Sequence, residues 1–337
     1  MRKILSIVIA LLLAGCEEQG VQEQAFYQWK TKFRPSRTEQ EALSETKRLF
    51  IRYFDVVVEN DGIQPAATVV FGDSFPQGMS ITPVVFIVNK ALEITPEDNI
   101  VALSEKICTR ISLINQKRNI TNISEIQIDC DWNISTREKY FLLLRSLRKM
   151  PCMDGKQLSV TLRLHQWKYS RSTGVPPADR VMLMCYNMGR LTEYGSRNSI
   201  LDTEELNAYV QHVGAYPLPM DVALPLFHWG VCFDNHRQYR GLVNGLCEED
   251  MRKPYFEETE PFLYRSDTTF LLRGFYVRRG DYIRLEEPSP NDIRKAADML
   301  AEHIPSPRLV VWYHLDSLLL QKFRKDVRRD IAERLRN

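Results

Sequence analysis

Residues 126–133, Ile-Gln-Ile-Asp-Cys-Asp-Trp-Asn, hold the densest chemistry of the chain. Apolar and polar residues alternate there, so Asp129 and Asp131 should share one face of a β-strand. Two carboxylates on one face are costly unless that face meets water, a base or a ligand. Packed together, like charges raise one acid's pKa, which would make Asp131 a proton donor near neutrality and Asp129 its partner. Two residues on one strand are better placed as a coupled acid and its modulator than as a pair flanking a bond. The next residue on that face is Asn133, whose amide cannot give up a proton.

The elements that must position these acids follow from hydrophobic pattern. Strand-like runs occur at Phe26–Phe33, Leu49–Val58, Thr82–Asn89, Glu125–Trp132, Leu158–Trp167, Val181–Met188, Val222–Cys232 and Leu309–Leu315. Amphipathic stretches at Thr38–Lys47, Asp98–Asn115 and Thr136–Lys149 lie between them, the last with Ser135 as N-cap. Repeated strand–helix alternation predicts an α/β fold, a (β/α)8 TIM barrel. A doubly wound open sheet is the alternative, but no glycine-rich phosphate loop follows the first strand. The spacing breaks between the seventh and eighth strands, where residues 234–308 form an insertion. It should contain a hairpin over Thr268–Leu285 turning at Arg279-Gly280-Asp281, and the helix Asn291–His303. Because it leaves the C-terminal end of a strand, it should sit over the ligand-binding face.

Ligands of such barrels bind at the C-terminal strand ends. Those ends carry Trp29, Arg52 and Asp55, then Arg163 and His165 on one face, then Tyr186 and Asn187, then Trp229. The last strand brings Trp312, His314 and Asp316 on one face. Rings stack on the apolar faces of sugars while charged and amide groups bond their hydroxyls, so a carbohydrate is the expected ligand. Plainer readings stand beside this one. Asp129 with Arg163 would serve as an ion pair inside the barrel. His165 alone would be a satisfied histidine, and Trp29 and Trp229 barrel packing.

The N-terminus reads as a targeting segment. Met1-Arg2-Lys3 precedes an apolar run from Ile4 to Leu13 that is too short to span a bilayer, then Ala14-Gly15-Cys16. The order is therefore a signal peptide at 1–15, a polar tether at 16–24 and one barrel domain at 25–337. The 337 residues are 26% charged and 44% hydrophobic, with net charge +2, so nucleic acid is not an expected partner. The basic residues of Phe323–Arg336 are read as a solvated C-terminal helix. Cys108, Cys130, Cys152, Cys185, Cys232 and Cys247 permit disulfides, but none of their spacings is that of a metal site. Cys130 and Cys185 fall in apolar strand patterns and should be buried thiols. No cofactor and no metal are expected, and the chain should act as a monomer.

Three resemblances follow from these residues. Leu13-Ala14-Gly15-Cys16 resembles a bacterial lipobox, which implies cleavage before Cys16 and acylation of its thiol. Glu17 is not the aspartate of inner-membrane retention, so the expected location is the cell envelope, with the outer membrane preferred. Asp129, Asp131 and Asn133 stand where glycoside hydrolase family 18, the chitinase-like barrels, has Asp-x-x-Asp-x-Asp-x-Glu. Met184-Cys185-Tyr186-Asn187 resembles that family's Met-x-Tyr-Asp, and Trp312 near Asp316 its last strand, where a tryptophan floors the sugar site. The chain as a whole is similar to an uncharacterised bacterial family, domain of unknown function 3142, through Gln127–Trp132, Leu164–Trp167 with Gly174-Val175-Pro176-Pro177, and Tyr216–Trp229. That family supplies no activity.

The family 18 likeness implies a glycan substrate, but its proton-donating glutamate is matched by Asn133, its first aspartate by Ile126 and its sixth-strand aspartate by Asn187. Two functions remain open. In one, a hydrolase works with a rearranged acid/base set of Asp129, Asp131 and Tyr186, completed by Asp316, His165 or Glu193. In the other, a non-catalytic glycan-binding or structural envelope lipoprotein keeps the cleft without the acid, with Arg and His at the mouth suited to an acidic glycan.

Overall fold

The computed structural model describes residues 23–336 except 61, 74 and 306. Eight parallel strands close on themselves: β1 (Glu23–Gln28), β2 (Arg48–Glu59), β3 (Ser80–Ile87), β4 (Glu125–Asp129), β5 (Gln157–Arg163), β6 (Arg180–Met184), β7 (Met220–Pro225) and β8 (Leu309–Tyr313). Closure comes from Phe26, which is in register with Leu49 of β2 on one side and Trp312 of β8 on the other. The expected TIM barrel is therefore the fold. Its strands are buried on both faces, which is why they read as near-continuous apolar runs.

Helices form where caps and amphipathic spacing coincide. α1 (Arg37–Ser44) opens with a capping box: Ser36 Oγ accepts from the Glu39 amide, and the Glu39 carboxylate accepts from the Ser36 amide. α2 (Ile100–Arg118) follows β3, α3 (Arg137–Leu147) follows β4, and α4 (Thr203–Val210) follows β6. α5 (Pro290–Ala301) starts at the Ser289 N-cap, and α6 (Lys325–Arg334) closes the chain. α6 is not solvated all round, since Arg328, Ile331 and Ala332 are buried. β2 departs from the alternation and pairs with an antiparallel strand, Gly62–Ala66. A disulfide joins Cys108 of α2 to Cys152 across a 44-residue separation. Cys130 and Cys185 are buried free thiols.

The insertion begins before residue 234. The apolar run Val222–Cys232 is two strands: β7 stops at Pro225, and Trp229–Phe233 already belongs to a second sheet. That sheet is five-stranded and antiparallel, in the order Tyr239–Asn244, Trp229–Phe233, Tyr282–Glu286, Leu263–Ser266, Phe256–Glu260. The expected hairpin turn at Arg279-Gly280-Asp281 is not a hairpin. Phe270–Leu272 pairs with Phe275–Val277 instead, across Arg273-Gly274, where both residues take left-handed φ values. Tyr282–Glu286 then pairs with Trp229–Phe233 and Leu263–Ser266, which buries its apolar residues centrally.

Candidate functional site

The N-terminal pole of the barrel is closed by charge. Glu125 and Asp221 are buried and accept from Arg48, Arg180 and Arg308 at 2.7–3.0 Å. Above this plug the interior is polar: Tyr27 Oη donates to Gln127, and Gln127 donates to Ser159. The next residue up β4 on that face is Asp129. It is 7% exposed and accepts a 2.6 Å hydrogen bond from Thr161 Oγ1 of β5. Burial, and then the neighbouring Asp131 carboxylate, push its pKa up to about 7; the Thr161 hydrogen bond and Arg163 oppose them.

Asp131 lies past the strand end, with its side chain 57% exposed and 3.7 Å from Arg163 Nε. A raised acid was expected at Asp131. The residue raised toward neutrality is Asp129, because desolvation outweighs like-charge repulsion, and Asp131 is the acid open to solvent. Arg163 pairs loosely with Asp131 rather than closely with Asp129, and its Nη2 donates to the Asn187 carbonyl at 2.9 Å.

At the C-terminal ends of β1, β7 and β8 opens a cleft of about 460 Å³. Its aromatic lining is Trp29, Phe227, Trp229 and Tyr313, and its polar lining includes Asn187, His228, Asn244, His314 and Asp316. The rings brace one another. Tyr313 meets Trp29 at 5.3 Å and Phe227 at 5.5 Å, edge to face, and stacks on buried Tyr186 at 4.8 Å. Burial raises the Tyr186 phenol well above its ordinary range, so it stays protonated. Asn244 and Gly245 come from the insertion, which places part of it against the cleft as expected.

Arg52 lies behind this wall rather than in it. It is bonded through two nitrogens to Asp55, donates to the Trp29 carbonyl, and its guanidinium sits 5.3 Å from the centre of the indole. Asp316 is the N-cap of the helix Ser317–Lys322, accepting from the Leu318 and Leu319 amides, and its Oδ1 is 3.8 Å from His228 Nε2. His228 is 4% exposed; its Nδ1 is 2.7 Å from the Leu246 carbonyl, and its Nε2 has no hydrogen-bond partner among the described residues. Asn187 takes a left-handed φ of 53°, and its buried Oδ1 likewise has none among them.

Four further expected positions do not reach the cleft as proposed. Trp312 is wholly buried: its indole donates to Gln24 and lies against Phe323, on the helix side of β8. Tyr313, on the opposite face of the strand, occupies the place meant for it. Asn133 is turned to its own chain, where its Oδ1 accepts from the Ser135 amide and hydroxyl and the Thr136 amide just before α3. His165 is not on a strand, because β5 ends at Arg163 and the short helix Leu164–Lys168 follows. It stands exposed on the rim, with its pKa lowered by partial burial and then by Arg163. Glu193 is exposed in the loop after β6 and lines a different pocket.

Tyr313, Phe227, His228 and Thr161 were not legible as site residues. The one available signal was the Pro225 break, which sets Leu226–His228 at the end of a strand.

No protein-family pattern matches the chain, and no curated protein matches it either. Solved structures share its fold. The spore cortex-lytic enzyme SleL of Bacillus cereus superposes with a TM-score of 0.52 at 13% identity, over 94% of this chain and 74% of that one. SleL of Bacillus megaterium gives 0.53 at 12%, over 92% and 74%. A class V chitinase mutant from Cycas revoluta, solved with (GlcNAc)3, gives 0.51 at 9%, over 93% and 99%. The fold they share with this chain is the (β/α)8 TIM barrel.

Proposed function

We propose that this chain binds a carbohydrate polymer in the cleft at the ends of β1, β7 and β8, held at the cell envelope by a lipid on Cys16. One observation carries the reading: four rings line a cleft with two buried polar atoms, Asn187 Oδ1 and His228 Nε2, that have no hydrogen-bond partner among the described residues. Buried polar atoms of this kind are costly when unpaired and favour a ligand that brings hydroxyl or amide groups to them. Rings beside such atoms suit a pyranose, which is apolar on its faces and polar at its rim. The names of the structural neighbours, a cortex-lytic enzyme and a chitinase, make amino-sugar polymers the first ligands to try. Soaking crystals in oligosaccharides and finding one against Trp29 and Tyr313 would support the reading; a sugar bound elsewhere would sink it.

The kinship with glycoside hydrolase family 18 and with domain of unknown function 3142 belongs to the same reading. The first rests on Asp129, Asp131, Met184–Asn187 and Trp312 near Asp316, the second on Gln127–Trp132, Leu164–Trp167 with Gly174-Val175-Pro176-Pro177 and Tyr216–Trp229, although Trp312 itself is turned away from the cleft. Binding is favoured over cleavage because Asn133, at the position of the acid, is an amide engaged in the turn before α3.

Hydrolysis is the second reading, favoured by Asp129, which at about 7 holds a proton near neutrality beside an ionisable neighbour. Under it, Asp131 acts on the sugar and Asp129 controls its charge. New reducing ends released from a polysaccharide by the native chain, and lost in Asp131→Asn, would favour it.

The envelope location rests on the lipobox-like sequence, which lies outside the described residues, and is supported by the Cys108–Cys152 bridge, since such bonds persist in exported proteins. Replacing Cys16 by Ser should move the protein from the membrane fraction to the soluble one. Unchanged membrane association would refute the anchor.

A further inference from the structure

Glu286 is 0% exposed and Arg284 1% exposed, and the two form an ion pair at 2.6 Å in the strand Tyr282–Glu286 of the insertion. Buried ion pairs are weak stabilisers, so what else they hold decides what they do. Here both partners hold further groups. Glu286 Oε2 accepts from the Trp229 indole at 2.6 Å and from Ser199 Oγ at 2.7 Å. Arg284 donates to the carbonyls of Leu191, Glu193 and Gly195 at 2.6–3.1 Å. Ser199 and those carbonyls all belong to the loop after β6. The two ends of that loop are stitched together, with the Asn187 amide donating to Ile200 and the Gly189 amide to Ser199.

Asn187 and Trp229 both line the cleft, one from the barrel loop and one from the insertion. A path of hydrogen bonds, with one step along the chain from Ile200 to Ser199, therefore runs from the Asn187 backbone to Glu286 and the Trp229 indole. We infer that Glu286, backed by Arg284, is a positioning residue that fixes Trp229 against the Asn187 loop and so sets the width of the cleft. This rests on the glycan-binding reading for its consequence, but its geometry can be tested without any sugar. A carboxylate suits the task because one oxygen can accept from two donors while the other holds the arginine.

The test compares the native chain with Glu286→Gln, Ser199→Ala and, as a control, Asp221→Asn, which weakens a buried ion cluster at the opposite pole. The Trp229 indole N–H resonance is assigned with Trp229→Phe and read together with the Asn187 amide. Loss of the charged acceptor in Glu286→Gln should move both resonances and weaken (GlcNAc)3 binding about tenfold. Ser199→Ala should move both in the same direction, and Asp221→Asn should move neither. Movement of Trp229 alone, or equal effects from the control, would overturn the inference. A native chain that binds no sugar would remove the glycan reading, while the paired resonances would still decide the positioning claim.

Discussion

Asp129 and Asp131 stand two residues apart on one chain and in different media. Asp129 is enclosed in the barrel and bonded to Thr161, while Asp131 is open to solvent near Arg163. A proton on Asp129 removes one of two neighbouring negative charges without changing the exposed Asp131 side chain.

That asymmetry makes stability depend on pH. The Asp129 pKa is about 7 in the fold against the ordinary 3.8, so between these values the folded state binds a proton that the unfolded state has released. The contribution of Asp129 to stability is greatest below about pH 4, is lost as pH rises through 7, and then levels, the loss being on the order of 4 kcal/mol. Denaturant titrations of native and Asp129→Asn proteins from pH 4 to 8 should show a flatter profile for the variant and greater stability for it at pH 8. Parallel profiles would show that Asp129 titrates normally.

The two tryptophans at the ends of the closing strand pair should separate binding from folding. Trp29→Ala removes a cleft wall and should weaken oligosaccharide binding by about 1–3 kcal/mol. Trp312→Phe deletes a buried indole hydrogen bond to Gln24 and should lower stability by about 1–3 kcal/mol with binding unchanged. Isothermal titration together with urea unfolding reads both. A binding loss in Trp312→Phe at full occupancy of the fold would restore the tryptophan to the site.

How much of this was legible depends on what each pattern can encode. All eight barrel strands could be read because a strand buried on both faces is a run of apolar residues. The same property hides which face is which, so Leu309-Val310-Val311-Trp312-Tyr313 gave no parity and Trp312 took the place of Tyr313. The run through Pro225 concealed a change of sheet for a like reason, since both halves are apolar. Asn133 and His165 were misplaced by extending strands past their ends. The signals that would have stopped them were short-range, the Asn133–Thr136 turn and the Gln166 side chain accepting from the Arg163 amide. The Arg284–Glu286 pair was out of reach, because its partners lie nearly ninety residues away in sequence.

The disulfide gives a prediction independent of the cleft. Closing 44 residues restricts the unfolded chain by about 4 kcal/mol in the chain-entropy picture. Cys108→Ser, or reduction of the native protein, should lower the melting temperature by several degrees, as read by circular dichroism. Equal melting temperatures with and without reductant would mean that the two thiols are not bridged.

The most direct test of the account is a calorimetric titration of the native chain and Tyr313→Ala with chitin, cellulose and peptidoglycan oligosaccharides. Glycan binding at the cleft predicts that at least one oligosaccharide saturates a single site on the native protein and binds the variant at least tenfold more weakly. If none binds the native chain, or the variant binds as well as the native, the cleft is not a carbohydrate site.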